Sequence, residues 1–188
     1  MASHITNTEF LQLFSRDTTQ TFILGGEAAL IDLHLAKLVT EQQAIIDEKR
    51  EIASQSGDNW HDGAFNATDN AAKVISDQAS KLIKAREATI VDEPSAETDV
   101  VTIGTSVVIA QGNDQYELTI VGLSILFEGG NDHQFCSLAS PIAQALIGGK
   151  IGSSVKVLLG AQEQVLTITG IDQTKVNELI VQQTEELK

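Results

Sequence analysis

Cysteine is almost missing: Cys136 stands alone among 188 residues, which excludes an internal disulfide and any zinc site built on cysteine pairs. The lone thiol falls in an apolar strand pattern, where a buried and inert side chain is expected. Such sparing use suits a reducing cytoplasm. Proline occurs only as Pro94 and Pro141, so two long helical patterns on either side of residue 57 run without a breaker. Basic side chains are few, 12 against 26 acidic ones, giving a net charge of −14. Phosphate contacts need clustered Lys and Arg, so this balance argues against autonomous DNA binding and for a basic surface or a cation as partner. No apolar run reaches the ~18 residues of a membrane span, and residues 1–20 lack the charged start and apolar middle of a signal peptide. A cytoplasmic protein without membrane attachment is expected.

What is present is a heptad-like seam. Ile31, Leu35, Leu38, Gln42, Ile45, Lys49 and Ile52 step by alternating fours and threes, the spacing of a coiled-coil face with two polar interruptions. Phe65, Thr68, Ala72, Ile75, Ala79, Leu82 and Arg86 continue the rhythm after one reversal, which predicts an antiparallel helical hairpin over 21–92. Ser56-Gly57 is the stop signal of the first helix, and Asn59 followed by Asp62 resembles an N-cap for the second. Helices of about 30 residues would reach roughly 45 Å, longer than a small domain needs for its own core.

The tip, residues 57–63, differs chemically from the shaft. Between Arg50 and Lys73 there is no Lys or Arg, but there are Glu51, Asp58, Asp62 and Asp69, with Trp60, His61 and Phe65 among them. Carboxylates on an exposed turn suit magnesium, which keeps several waters and accepts one or two protein oxygens. His61 could join Asp58 and Asp62 on such a cation. The plain alternative is that Asp58 and Asp62 sit near a helix N-terminus, where the dipole favours negative charge, while Trp60 and Phe65 staple the helix ends together. Spacing alone leaves both readings standing.

On either side of the hairpin the chain changes character. In the extension 1–20, Thr6-Asn7-Thr8-Glu9 reads as a capping box ahead of Phe10, Leu11, Leu13 and Phe14, a short helix expected to pack within the chain. The acidic stretch 92–99, with Pro94, marks a linker over 93–99. Beyond it the period changes to two, with strand candidates at 100–109, 116–125, 134–138, 154–159 and 164–171 separated by Gly-Asn-Asp turns. One short helix opens at Ser140-Pro141 and ends at Gly148-Gly149. The fold class is therefore α+β with two domains: the hairpin, and a small antiparallel sheet with a short helix over 100–172. A closing helix over 173–188 would show Val176, Leu179 and Ile180 on one face.

Three ordered motifs in the second domain narrow this further. Val101-Thr102-Ile103-Gly104-Thr105-Ser106-Val107, Thr119-Ile120-Val121-Gly122 and Ser140-Pro141-Ile142-Ala143-Gln144-Ala145-Leu146-Ile147-Gly148-Gly149-Lys150-Ile151-Gly152 resemble successive signatures of the bacterial Gre transcript-cleavage factors. In the hairpin, Gly57-Asp58 and Asp69-Asn70-Ala71-Ala72-Lys73 are similar to that family's tip and the stretch after it. The resemblance covers roughly 22–172 and implies an FKBP-like second domain that docks on the largest subunit of RNA polymerase, at the rim of its secondary channel. Ser140, Pro141, Ile142 and Glu128 fall where it implies docking. It implies that Asp58 and Asp62 act in trans inside the polymerase, helping to hold a second magnesium ion that neither protein binds stably alone. The polymerase then hydrolyses the backtracked 3′ end of the nascent RNA. Trp60, His61 and Phe65 would support the tip, and Lys73, Lys81, Lys84 and Arg86 would form a basic patch facing RNA.

The tip departs from the family pattern Gly-Asp-x-x-Glu-Asn. Setting Gly57-Asp58 on the family's Gly-Asp puts His61 where Glu belongs and displaces Asp62 by one, so two outcomes stay open. Either a one-residue longer turn brings both carboxylates together and cleavage is stimulated, or the chain occupies the channel and inhibits without stimulating. An FKBP-like fold also admits peptidyl-prolyl isomerase activity, but a domain with Tyr116 and no Trp offers little of an aromatic proline pocket.

Overall fold

The computed structural model describes residues 3–55, 63–94, 99–127 and 134–187. Two helices dominate it. Helix α2, Gly25–Gln55, has 31 residues and extends ~46 Å; α3, Gly63–Ala85, has 23 and extends ~35 Å. They face each other along the seam that the spacing predicts. Ile31, Leu38, Thr68, Ile75 and Leu82 are buried, while Leu35, Ile45, Lys49, Ile52, Ala72 and Ala79 are half-buried. Gln42 departs from the pattern and is exposed, since an amide without a partner costs free energy to bury. The proposed stop at Ser56-Gly57 and cap at Asn59 and Asp62 lie outside the described residues.

The foot of the hairpin is not helical. Three very short strands, β1 (His4–Ile5), β2 (Phe22–Leu24) and β3 (Thr89–Val91), form a parallel sheet in the order β1-β3-β2. Sequence reading places no strand here, because runs of two or three residues show no alternation. Helix α1, Asn7–Phe14, begins with the predicted capping box, Thr6 and Glu9 each satisfying the other's backbone N–H. Its Phe10 and Phe14 are buried against Phe22, with ring centroids 5.0 Å apart for Phe10 and Phe22. Each buried ring is worth about 2–3 kcal/mol of transfer free energy, which holds the extension onto the foot.

The second module is a five-stranded sheet of β4 (Ser106–Gln111), β5 (Asp114–Val121), β6 (Gln134–Ser137), β7 (Ser154–Leu159) and β8 (Gln162–Asp172), ordered β6-β5-β4-β8-β7. It is not wholly antiparallel as expected: β6 runs parallel to β5. The reason is the connection, which passes through a 3₁₀ turn at Ser124–Phe127 rather than a tight hairpin, and so returns β6 in the direction of β5. The predicted strand at 100–109 starts only at Ser106, because 101–104 turn on Gly104 at φ 86° and Val101 bonds to Gly149 instead. Ala143 and Leu146 of α4 (Pro141–Leu146) are fully buried in the core with Val107, Ile120 and Ile168. Helix α5, Lys175–Glu186, closes the chain; its Ile180 lies against the first turn of α2, where a Cβ on Gly26 would come within 2.7 Å of it.

Candidate functional site: the hairpin and its mount

Six residues below the end of α2, the Lys49 ammonium reaches the Asp69 carboxylate of α3. This cross-hairpin pair explains the second polar interruption of the seam: the lysine stem lies in the interface and its charge is matched at the rim. Asp69 is thereby separated in role from the tip carboxylates. Asp58, Trp60, His61 and Asp62 lie outside the described residues, as does the side chain of Phe65. Among the described residues no group of three His, Cys, Asp or Glu side chains is arranged to hold a metal ion. What can be tested is donor chemistry: Asp58 and Asp62 offer hard carboxylate oxygens, which fit magnesium.

The four basic residues expected on the second helix divide, Lys73, Lys81 and Lys84 lying on α3 and Arg86 just past its end. Arg86 is engaged with Asp32 of α2, its Nε donating to Oδ1 at 2.9 Å and its Nη2 to Oδ2 at 3.1 Å, and this fork holds the Asp32 carboxyl below its ordinary value. Lys73, Lys81 and Lys84 are exposed. Lys81 and Lys84 border a groove of about 510 Å³ at the foot, together with Gln20, Thr21, Thr89 and Leu123. Lys84 lies ~32 Å along α3 from its start, whereas Lys73 lies ~15 Å from it, so the structure does not gather the four into one patch.

At the expected docking face, Ser140 caps α4 by accepting the Ala143 N–H at 3.1 Å. Pro141 follows at the first turn, exposed, and Ile142 is half-buried. Cys136 is half-buried rather than sealed away, with its Sγ 2.7 Å from Ser140 Oγ; its strand β6 lies at the edge of the sheet. Glu128 lies outside the described residues.

One buried acid escapes the sequence reading. Glu27, in the first turn of α2, is completely buried. Its Oε2 accepts the N–H of Leu24 at 2.9 Å and of Gly122 at 3.0 Å, and its Oε1 accepts that of Leu123 at 2.8 Å. Burial pushes its carboxyl up to about 7 against the pull of those three donors. Three residues before it stands Leu24, not the Ser or Thr of a capping box, so the sequence carries only the weak signal of an acid in a first helical turn.

A coiled-coil hairpin seated on a small mixed sheet defines a two-domain α+β protein. A family profile described as Transcription elongation factor, GreA/GreB, C-term matches residues 96–173. Transcription elongation factor GreA of Streptococcus mutans is 31% identical over 149 residues, 77% of this chain and 89% of that one. GreA of Streptococcus thermophilus is 30% identical over 148 residues, 76% of this chain and 88% of that one. Among solved structures, GreA factor homolog 1 (Gfh1) of Thermus thermophilus is 15% identical and covers 81% of this chain and 99% of its own, with a TM-score of 0.37. The chain belongs to the GreA/GreB family of transcription elongation factors.

Proposed function

We propose that this chain docks on RNA polymerase through the surface around Ser140, Pro141 and Ile142 and extends its hairpin into the secondary channel, where Asp58 and Asp62 promote hydrolysis of backtracked RNA. The observation that carries the reading is the Lys49–Asp69 pair. It neutralises Asp69 just below the reversal, and the sequence places Asp58 and Asp62 in the reversal itself. The hairpin seam supplies stiffness, and the −14 charge favours steering into a cationic channel. A magnesium ion held jointly by the polymerase and by Asp58 and Asp62 supplies Lewis-acid chemistry and an activated water. The chain itself turns over no substrate; its carboxylates orient that water's protons and hold the tip in place.

The test is RNA release from stalled, backtracked complexes with the wild type, Asp58→Asn and Asp62→Asn. Each substitution should lower stimulated release by about one to three orders of magnitude, the scale of removing one positioned electrostatic group. Equal release by all three proteins would sink the carboxylate mechanism. A second reading, channel occupancy that inhibits without stimulating, is favoured by the one-residue displacement of Asp62 from the family's tip pattern. Polymerase binding without release by the wild type would select it.

A further inference from the structure

We propose that Glu27 is the positioning residue that sets the direction in which the hairpin leaves the docking module. Among the described residues it is the single charged side chain that is buried, and its one carboxylate holds backbone from both modules. Oε2 is shared between Leu24 N, at the start of the hairpin, and Gly122 N, at the end of β5, while Oε1 takes Leu123 N. Gly122 makes the approach possible, because a Cβ there would clash with the Phe22 carbonyl and come within 2.9 Å of both Glu27 Oε2 and Ile23 Cα. A second polar tie across this junction, between the His34 side chain of α2 and the Leu126 backbone, is only half-buried, so water competes for it more readily than for Glu27.

The length of the hairpin turns this small contact into a lever. A swing of about 10° at the foot displaces the far end of α2 by ~8 Å, given its ~46 Å length. A misplacement of about 1 Å at reacting groups costs on the order of 100-fold in rate, whereas docking through the sheet module does not depend on the hairpin's direction. At pH 8, where the carboxylate is ionised, both of its oxygens accept; glutamine accepts with one oxygen only and turns its amide N–H groups toward a backbone donor. Aspartate is one methylene too short to span both backbones.

This inference rests on the proposed polymerase function for its consequence, but its geometric part is measurable without polymerase. Spin labels at Ala44→Cys on the shaft and Gln162→Cys on the sheet, in a Cys136→Ser background, report the distance between modules by pulsed dipolar spectroscopy at pH 8. Wild-type Glu27 should give one narrow distribution. Glu27→Gln should at least double its width, and Gly122→Ala, which attacks the same contact from the other side, should shift or broaden it likewise. Circular dichroism confirms that each variant keeps its helix content; Gly122→Ala serves if Glu27→Gln fails to fold. An unchanged narrow distribution in a folded variant overturns the proposal. In the polymerase assays, stimulated release should fall about 10–100-fold while polymerase affinity changes less than about threefold. A parallel loss of affinity, or undiminished release, removes the positioning role. Absence of polymerase binding by the wild type would defeat the proposed function alone.

Discussion

Arg86 grips Asp32 across the foot of the hairpin through two parallel bonds of 2.9 and 3.1 Å. A guanidinium fork engaged in this way contributes to the closure of the two helices rather than to a free cationic surface. Arg86→Lys keeps the charge and loses the fork. Because both side chains are partly exposed, the expected loss is only about 0.5 kcal/mol, and it should fade at high salt. Urea unfolding at two salt concentrations measures it. A large, salt-independent loss would contradict the exposed-pair account.

Closer to the tip, Lys49 and Asp69 form a pair in which the lysine is the more enclosed partner. Asp69→Ala removes this partner of the lysine and should cost about 1 kcal/mol. Replacing both, Lys49→Leu with Asp69→Asn, extends the apolar face and should recover the loss or exceed the wild type. A double-mutant cycle by thermal melting decides. Independent, additive effects would mean that the two side chains do not interact in solution.

Phe10 is fully buried between Phe14 and Phe22. Phe10→Ala should cost about 3–5 kcal/mol, and hydrogen exchange should rise first in the β3 amides of Ile90 and Asp92, which bond to Ser3 and Ile5. Protection of those amides unchanged by the substitution would show that β1 holds without its aromatic anchor.

Glu27 gives the stability a pH signature. Its carboxyl is raised from 4.5 to about 7 in the folded chain, chiefly by burial, so the proton favours the folded state. Its contribution is complete below pH 4.5 and is lost as the pH rises through 7, a change of about 3 kcal/mol. Glu27→Gln should lack this slope. Asp32 and Asp172, whose carboxyls are lowered, act in the opposite sense and only as the pH falls through about 4. His34, held below its ordinary value chiefly by burial, acts in the same window with the opposite sign, so Glu27 is read from the difference between wild type and Glu27→Gln in unfolding free energy from pH 5 to pH 8, and equal slopes would reject the assignment.

The isomerase alternative predicts turnover of proline peptides by the second module. Phe127 is buried and stacked on Phe135 with centroids 4.7 Å apart, so these rings are committed to the core and Tyr116 is left as a lone aromatic on β5. Peptide isomerisation should stay at background. Clear catalysis surviving deletion of residues 1–92 would make the sheet module an enzyme.

Periodicity made the long elements legible. Ile31, Leu38, Ile75 and Leu82 repeat often enough that the seam could be read before any contact was known, and Thr6 with Glu9 announced α1 by local chemistry alone. The foot sheet was not legible, because Phe22–Leu24 and Thr89–Val91 are too short for alternation and are buried on both sides. The direction of β6 depends on the path of its connection, which no residue of β6 records. Glu27 looks like any acid in a first helical turn; its partners Gly122 and Leu123 are distant in sequence, and only tertiary structure brings them together. At the tip, composition identified the acidic stretch, while turn geometry depends on backbone angles that composition does not record.

The parallel pairing of β2 with β3 has a kinetic consequence. In register, Phe22 meets Thr89 and Leu24 meets Val91, so the strands that close the foot are separated in the chain by the entire hairpin. Zipping the helices first would carry the two ends together and remove most of that loop-closure cost. Seam substitutions such as Leu38→Ala should then slow folding, whereas changes in β1 should mainly quicken unfolding, as refolding and unfolding rates would show.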